Sequence, residues 1–269
     1  MAVKEITSTG NPVVKGIRAL AMKKVRDREN LFLAEGRKLA TDALAAGWRV
    51  RTLCVARDRF DDVGDLAARV NAGGGLVLQC SKKVMEAIGR RDNPQTVMAA
   101  VEPRLAPLDA VRPGEGETWV ALDRVRDPGN LGTVIRTVDA LGASGVVLLG
   151  DTTDPFGIDA VRATMGSLFH VPLVRARAED FAELKGRFAF TVGTHLKGAV
   201  DHRRIDWTRT PTLLVMGNEQ QGLPPEIADA CDALALIAMA GQADSMNLAV
   251  STGIALFEAR RHALPEVAA

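Results

Sequence analysis

Short apolar runs alternate with helical patterns from Thr118 to the end of the chain, and this alternation restricts the fold more than any other feature. Each run has the length of a strand, and the segments between the runs carry apolar residues at helical spacing. Strands and helices in alternation form a mostly parallel sheet. The predicted strands span residues 118–122, 145–149, 171–174, 189–192, 211–216 and 233–237. The sequence therefore predicts an α/β domain over residues 118–269.

A second, smaller α/β domain is predicted over residues 1–105. Residues 12–26 carry apolar side chains at helical spacing and are expected to form one helix. The predicted strands span residues 31–34, 51–56, 76–79 and 97–101. Residues 106–117 hold proline and glycine among charged residues, which is typical of a linker between two domains.

The bulk composition excludes several classes of protein. A chain of 269 residues, 47% hydrophobic and 25% charged, is that of a soluble globular protein. No apolar run reaches the roughly 18–20 residues of a membrane span. The first residues lack the apolar core of a secretion signal, so a cytoplasmic protein is expected. The three cysteines and four histidines show neither disulfide nor metal-ligand spacing, so no metal is expected.

Charge is distributed unevenly although the net charge is only +1. Residues 1–105 hold 19 Lys and Arg against 12 Asp and Glu, whereas residues 106–269 hold 15 against 21. Many of the cations crowd into residues 15–28. This segment is either a phosphate-binding surface, since clustered cations release counterions from nucleic acid, or a solvated helix face partly balanced by Asp27 and Glu29.

The first block with candidate chemistry is residues 123–142, which follow a predicted strand and open a predicted helix. Arg136 lies off the apolar stripe of that helix, near the strand end where open α/β sheets bind ligands. A plainer interpretation is also open. Asn130 could cap the helix, and Arg136 could be an ordinary surface arginine.

The second block is residues 216–225, again directly after an apolar strand. Gly217 and Gly222 permit close approach of the backbone and positive φ angles. Glu219 lies in the tight loop between these glycines, where its carboxylate either takes part in a site or accepts backbone N–H groups of its own loop.

The third block is residues 237–248, a loop that is small and polar yet carries Met239 and Met246 beside Asp244, Ser245 and Asn247. A surface turn has little use for two methionines, whereas a loop that wraps a partly apolar ligand does. All three blocks follow strands of one domain, so they can meet at one edge of the sheet. Neither a P-loop nor a G-x-G-x-x-G sequence is present, which counts against a dinucleotide site.

The three blocks, in this order and with this spacing, resemble the signature motifs of the SpoU/TrmH family of RNA ribose 2′-O-methyltransferases, within the SPOUT superfamily. The matching patterns are Asn-x5-Arg, Gly-x-Glu-x2-Gly-Leu and Ile-x-Met-x-Gly-x3-Ser-x-Asn. The resemblance covers residues 117–262. Ala238 stands where the family usually has proline, a change that removes no functional group.

The N-terminal domain is similar to the ribosomal-protein-L30e-like substrate-binding domain of the same family. The patterns that carry this similarity are Ser8-x-Gly-Asn-Pro, Phe32-Leu-Ala-Glu-Gly and Asn93-Pro-Gln-Thr-Val. The resemblance implies that this domain binds RNA, and the basic residues Lys23, Lys24 and Arg26 are expected to contact its phosphates.

The resemblance further implies a deep trefoil knot in the C-terminal domain, a homodimer, and S-adenosylmethionine bound by the knot loops. Gly217, Ile237 and Met246 match positions that hold this cofactor, mostly through backbone groups. The side chains of Leu223 and Met239 add apolar surface that suits adenine. No metal and no membrane contact is implied.

The implied reaction transfers a methyl group to a ribose 2′-hydroxyl. The arginine matching Arg136 is proposed in the family as the general base. Because a guanidinium hardly ever deprotonates in proteins, Arg136 is better suited to hold a substrate phosphate and to steady the developing oxyanion. Asn130, Glu219, Ser245 and Asn247 match the other active-site positions.

The expected substrate is 23S ribosomal RNA, and the alternatives are transfer RNA or a non-catalytic role in RNA binding or ribosome assembly on the same scaffold. A methyltransferase acting on a base belongs to other SPOUT branches with different motifs. The chain has no Tyr, three Trp and eight Phe, so RNA contact through phosphates and shape is favoured over extensive base stacking.

Overall fold

The computed structural model describes residues 3–196 and 199–266, which form two compact units. The first unit comprises the chain up to Pro103 together with Asp154–Phe169. The second comprises Arg104–Thr153 and the chain from His170 onward. Residues 154–169, which the sequence alone places in the second predicted domain, thus fold with the first unit.

The first unit is a mixed five-stranded sheet with helices. Its strands are β1 (Val3–Ile6), β2 (Phe32–Glu35), β3 (Val50–Ala56), β4 (Leu76–Cys80) and β5 (Val97–Val101). Its helices are α1 (Pro12–Ala19), α2 (Lys23–Glu29), α3 (Arg37–Ala45), α4 (Gly64–Ala72), α5 (Lys82–Gly89) and α7 (Ile158–Thr164). The strand order is β1-β4-β3-β5-β2, with β5 antiparallel to both neighbours and the other pairs parallel.

The single helix predicted at residues 12–26 is wrong, because the segment forms α1 and α2 with a turn between them. The end of α1 leaves backbone carbonyl groups without helical partners. The Arg26 guanidinium donates to two such groups, the carbonyl oxygens of Leu20 (2.8 Å) and Ala21 (3.0 Å). A side chain from the second helix therefore stabilises the turn after the first.

The segment from Asp154 to Phe169 contributes ion pairs and aromatic side chains to the first unit. Arg26 donates to the Asp154 carboxylate from Nε (3.0 Å) and Nη2 (2.5 Å). Phe156 and Phe169 pack on Phe32, with ring centroids 5.0 and 6.4 Å away. This part of the core combines residues that are far apart in sequence.

The second unit is built on a seven-stranded sheet. Its strands are β6 (Thr118–Asp123), β7 (Gly145–Leu149), β8 (Leu173–Ala176), β9 (Phe190–Thr194), β10 (Val200–Asp201), β11 (Thr212–Met216) and β12 (Ala233–Leu236). Its helices are α6 (Pro128–Ala140), α8 (Phe181–Lys185), α9 (Pro225–Ala228) and α10 (Leu248–Arg260).

The strands of this sheet are ordered β10-β12-β9-β11-β6-β7-β8, and all pairs are parallel. The prediction of a mostly parallel α/β sheet is confirmed. Because the strands run in one direction, the loops after β6, β9, β11 and β12 all leave from the same edge. The three sequence blocks are therefore brought to that edge. Helix α10 packs against α6.

Within the described residues, no helix is long and apolar enough to cross a membrane.

Candidate active site

A cavity of about 550 Å³ lies at the carboxyl edge of the parallel sheet in the second unit. It is bounded by the loops that follow β9, β11 and β12 and by the first turn of α10. The side chains and backbone that line it are Thr194, His195, Leu196, Met216, Gly217, Asn218, Glu219, Gln220, Gln221, Gly222, Ala235, Leu236, Ile237, Met239, Asp244, Ser245, Met246, Leu248 and Ser251. Backbone, amide and apolar groups are thus presented together.

The loop after β11 is folded tightly on itself. Asn218 and Gly222 exchange backbone hydrogen bonds of 3.2 and 2.9 Å, and Gly222 has φ +68°. A Cβ atom on Gly217 would lie 2.2 Å from the carbonyl carbon of Gly222. Only glycine fits at position 217 without a shift of backbone, which explains the first glycine of the motif.

Asn218 joins this loop to the loop after β6. Its amide nitrogen donates to the carbonyl oxygen of Arg124 (2.7 Å). Its amide oxygen accepts the backbone N–H groups of Gln220 (2.9 Å) and Gln221 (3.2 Å). One buried side chain therefore fixes both the shape of its own loop and the distance to the neighbouring one.

Glu219 is held by neutral donors. Its carboxylate accepts the backbone N–H groups of Arg126 (3.2 Å) and Asp127 (3.1 Å) and the side-chain amide of Asn130 (3.3 Å). Burial by itself would raise the pKa of Glu219, but these hydrogen bonds and the residue's own N–H outweigh burial and lower the pKa below its ordinary value. The side chain is therefore an anion at neutral pH.

Asn130 connects Glu219 to the start of α10. Its amide oxygen accepts the side-chain amide of Asn247 (2.9 Å). Asn247 in turn caps α10, accepting the N–H groups of Ala249 (2.9 Å) and Val250 (3.2 Å). Asn130 is not a helix cap, because α6 begins after Asp127, whose carboxylate accepts the N–H of Asn130 (2.6 Å). The three sequence blocks are joined by one hydrogen-bonded chain.

Most of the predicted cofactor-binding residues line the cavity. Gly217, Ile237, Met239 and Met246 are among them, as are Glu219 and Ser245 from the predicted catalytic set. Leu223 is not among the lining residues, and its side chain is 3% exposed within the apolar core of the sheet. A leucine directed into the core supports the loop from beneath rather than presenting its surface to the cavity.

Arg136 lies on the exposed side of α6, outside the lining of the cavity. It borders a separate groove of about 380 Å³ between α6 and α10. Thr137 and Gly253 face each other there, and Phe257 also lines the groove. The structure of one chain therefore gathers Asn130, Glu219, Ser245 and Asn247 but leaves Arg136 apart from them.

The three predicted RNA-binding residues of the first unit have different environments. Lys24 is exposed, and exposed Lys23 forms an ion pair with Asp27 (2.8 Å). Arg26 is only 7% exposed and is committed to Asp154 and to two backbone carbonyl groups. Its guanidinium is unavailable to a phosphate, so the prediction that Arg26 contacts RNA is wrong, and Arg26 instead holds the fold together.

Sequence reasoning missed the loop after β9, which supplies Thr194, His195 and Leu196 to the cavity. Their position directly after an apolar strand was the available signal, because every such loop of a parallel sheet reaches the same edge. It also missed Asn218, whose signal was its place between Gly217 and Glu219. Among the described residues, no group of three or more His, Cys, Asp or Glu could hold a metal ion.

The fold and site define an α/β protein with a small-molecule cavity at the carboxyl edge of a parallel sheet. The chain belongs to the SpoU rRNA Methylase family, whose model matches residues 117–257. Residues 11–99 match the model of the MRM3-like substrate binding domain. The predictions of the family, of the SPOUT α/β fold and of an N-terminal substrate-binding domain of this kind are confirmed.

Named relatives extend over nearly the whole chain. The Bacillus subtilis (strain 168) 23S rRNA (guanosine(2553)-2′-O)-methyltransferase RlmP is 32% identical over 96% of this chain and 100% of its own. The Streptomyces viridochromogenes 23S rRNA (uridine(2479)-2′-O)-methyltransferase is 33% identical over 97% and 93%. The crystal structure of AdoMet-bound rRNA methyltransferase from Sinorhizobium meliloti has a TM-score of 0.93 and 56% identity over 98% and 99%.

Proposed function

We propose that this chain is an S-adenosylmethionine-dependent RNA ribose 2′-O-methyltransferase that acts on 23S ribosomal RNA. The observation that carries the proposal is the cavity at the carboxyl edge, whose lining residue Glu219 begins the hydrogen-bonded chain Glu219–Asn130–Asn247. The two curated relatives named above are both 23S rRNA 2′-O-methyltransferases, but for different nucleosides. The proposal therefore names the RNA and the ribose hydroxyl and leaves the nucleotide open.

The cavity fits S-adenosylmethionine in size and chemistry. About 550 Å³ is within the range of small-ligand sites. Ile237, Met239 and Met246 offer apolar surface for adenine, and the close backbone at Gly217 offers N–H and carbonyl groups. The bound cofactor supplies a methyl group on a positively charged sulfonium. The cofactor assignment also agrees with the AdoMet-bound Sinorhizobium meliloti structure.

We assign the polar residues to positioning of the substrate ribose. Glu219 and Asn130 hold the loops after β11 and β6 together, and Asn247 ties them to α10. Ser245 lines the same cavity and carries a hydroxyl group. Such fixed donors and acceptors can orient a ribose hydroxyl without rearranging during the reaction.

Arg136 is assigned to the substrate phosphate beside the reacting ribose and to the developing oxyanion. The guanidinium offers several donors in a rigid plane and hardly ever deprotonates, which suits a phosphate clamp better than a base. Arg136 lies outside the cavity of its own chain, so the site of a single chain is incomplete.

We further propose a homodimer formed through α10 and a trefoil knot formed by the cavity loops. Val250 and Phe257, both on α10, are 52% and 50% exposed. Phe257 borders the same groove as Arg136, so a second chain covering this face would bury apolar surface beside the phosphate clamp. The knot is proposed from the resemblance of the three loop motifs to those of the family.

Within the first unit, Lys23 and Lys24 remain proposed contacts to RNA phosphates, since both are exposed. Arg26 is not proposed as an RNA contact, because its side chain is buried and paired with Asp154. A ribosomal RNA substrate implies a cytoplasmic protein.

The test combines cofactor binding with substrate mapping. Calorimetry of the purified full chain with S-adenosylmethionine should give one site per chain, and 2′-O-methyl mapping of 23S RNA from cells with and without this gene should differ at one nucleotide. Arg136→Lys should lower the methylation rate on the order of 10²–10³-fold while leaving cofactor affinity unchanged. A protein that binds RNA but no cofactor, and leaves the map unaltered, would instead be a non-catalytic relative.

A further inference from the structure

A second basic surface of the first unit is built by α1, α5 and the turn after α5. We define the α1/α5 face by its five exposed cations, Lys15, Arg18, Lys82, Lys83 and Arg90. We propose that this face binds the phosphate backbone of the substrate RNA. The inference rests on the proposed function and identifies the surface of the N-terminal unit that engages the RNA.

The two helices lie side by side on one face of the five-stranded sheet. Val14 and Ile17 of α1 share an apolar core cluster with Val84, Met85 and Ile88 of α5. Both helices thus turn their buried stripes towards the same core. Their opposite faces, which carry the cations, are consequently directed to solvent.

Hydrogen bonds connect α5 to the segment before α1 at one end and to the last turn of α1 at the other. At one end, the N–H of Ser81 donates to the carbonyl of Ile6 (3.0 Å) and its hydroxyl to the carbonyl of Thr7 (3.4 Å), shortly before α1 begins. At the other end, Arg90 donates to the carbonyl of Arg18 (3.3 Å). The cations of the two helices are therefore held as one surface.

Carboxylates are scarce on the α1/α5 face. Lys82 lies 3.9 Å from Glu86, a long contact between groups on the same helix. Exposed Asp92 is the other nearby acid in sequence. Among the described residues, no ion pair joins Lys15, Arg18, Lys83 or Arg90 to a carboxylate. The face therefore keeps a net positive charge.

The α2 segment contrasts with this face. Lys23 pairs with Asp27 at 2.8 Å, Arg28 pairs with Glu29 at 2.8 Å, and Arg26 is buried against Asp154. Although α2 is denser in cations along the sequence, most of its charge is already neutralised. Unpaired cations release more counterions from a polyanion than paired ones, so the α1/α5 face is the stronger phosphate-binding surface.

The chemistry of the face favours nucleic acid over an apolar protein partner. Within the described chain, Val13 is the large apolar residue of α1 and α5 that is exposed, at 38%. Gly16 lies between Lys15 and Arg18, and a Cβ there would meet nothing within 4 Å. The surface of α1 is therefore shallow and accessible at this position. A cationic, shallow surface without exposed aromatic rings suits contact with phosphates rather than base stacking.

The experiment neutralises this face in the full-length protein. In the variant Lys15→Gln/Arg18→Gln/Lys82→Gln/Lys83→Gln, glutamine keeps a side chain of good helix propensity. Binding to transcribed 23S RNA fragments should weaken about 10- to 100-fold at 0.15 M salt, and the slope of log affinity against log salt should become shallower by about 3. The matched control is Arg49→Gln/Arg51→Gln/Arg59→Gln/Arg69→Gln, which changes charge equally among exposed residues elsewhere in the unit and should stay within about twofold of wild type.

A second pair of variants compares the two helices directly. Lys15→Gln/Arg18→Gln should weaken RNA binding more than Lys23→Gln/Lys24→Gln, although both remove two charges. Equal or reversed effects, or a quadruple variant with wild-type affinity and salt slope, overturn the inference.

Calorimetry with S-adenosylmethionine separates this result from the proposed function. Wild-type cofactor binding and RNA methylation, together with unchanged RNA affinity in the quadruple variant, would defeat only the inference. A wild-type protein without cofactor binding would defeat the proposed function instead. A urea unfolding profile of the quadruple variant that matches wild type, together with retained cofactor affinity, excludes misfolding of either unit as the reason for weaker RNA binding.

Discussion

Buried and half-buried carboxylates are held differently in the two units. In the first unit, Asp154 and Glu35 are paired with the guanidinium groups of Arg26 and Arg162, each with a shortest contact of 2.5 Å. In the second unit, Glu219 is held by backbone N–H groups and one amide. The first arrangement cancels the charge, and the second retains it.

This difference separates residues that hold a fold together from residues that can serve a site. A guanidinium–carboxylate pair removed from water cancels its own charge and offers little to a ligand. A carboxylate fixed by neutral donors keeps its negative charge and its position at the wall of the cavity. The comparison therefore assigns Arg26 to stability and Glu219 to loop organisation at the site, and four experiments test it.

The largest effect on stability is expected when the ion pair between Arg26 and Asp154 in the first unit is broken. Arg26→Met should lower the free energy of unfolding by about 3–5 kcal/mol, because the Asp154 carboxylate is left buried without its partner. Replacing both residues, as in Arg26→Met/Asp154→Leu, should restore much of this loss. Urea unfolding of the full chain measures both values.

Lys23→Gln is the control for that experiment. It breaks the exposed ion pair with Asp27 and should cost less than about 1 kcal/mol. If Arg26→Met also costs no more than this, the guanidinium is not structural, and its assignment to RNA regains support.

The next largest effect on stability is expected at the tight loop that follows β11 in the second unit. Gly217→Ala places a Cβ 2.2 Å from the carbonyl carbon of Gly222, and overpacking of this kind costs about 1–3 kcal/mol. Because the loop itself borders the cavity, affinity for S-adenosylmethionine should fall more than tenfold in calorimetry. Gly64→Ala, in the first unit and with nothing within 4 Å of the added Cβ, should leave affinity unchanged. Equal behaviour of the two variants would contradict a close-packed binding loop.

The two units also differ in how much of them could be predicted from sequence. The parallel sheet was predictable because apolar runs and helical spacing are local signals. The two-residue strand β10 (Val200–Asp201) and the edge strand β1 (Val3–Ile6) carry no such run and were missed. The break between α1 and α2 was missed because it depends on the buried side chain of Arg26.

The sequence predicted the positions of residues in the fold correctly where motif spacing alone determines them. Glu219, Asn130 and Asn247 were expected at one edge of the sheet, and they are joined there by hydrogen bonds. Leu223 was expected at the cavity, but its side chain points into the core, because spacing does not reveal side-chain direction. Arg26 pairs with a residue 128 positions away, and no single-sequence pattern indicates such a partner.

A smaller effect is expected from Glu219→Gln. Glutamine keeps one acceptor oxygen, but its NH₂ group meets the backbone N–H groups of Arg126 or Asp127, so one donor loses its partner. The expected loss in the free energy of unfolding is about 1 kcal/mol, with a clear fall in methylation rate. Glu226→Gln, the same change at an exposed residue of α9 outside the cavity lining, serves as the control. A Glu219→Gln variant with wild-type stability and rate would show that the retained charge has no role.

The smallest effect is a dependence of stability on pH that has opposite signs for two carboxylates at this edge. The pKa of Glu219 is lowered in the folded protein, so its contribution is full above its ordinary value of 4.5 and is lost as pH falls through the folded pKa. Burial raises the pKa of Asp123, despite the opposing bond from Arg124, so its contribution is full below 3.8 and is lost as pH rises through the folded pKa.

Unfolding free energies of the wild type, Glu219→Gln and Asp123→Asn between pH 3 and 7 measure both dependences. The advantage of the wild type over Glu219→Gln should shrink as the solution is acidified below about 4.5, whereas its advantage over Asp123→Asn should shrink as pH rises above about 4. If the advantage over Glu219→Gln instead shrinks as pH rises, then the hydrogen bonds from Arg126 and Asp127 do not outweigh burial at Glu219. The contrast between a carboxylate whose neutral donors outweigh burial and a carboxylate whose burial outweighs its bond from Arg124 would then fail within the second unit itself.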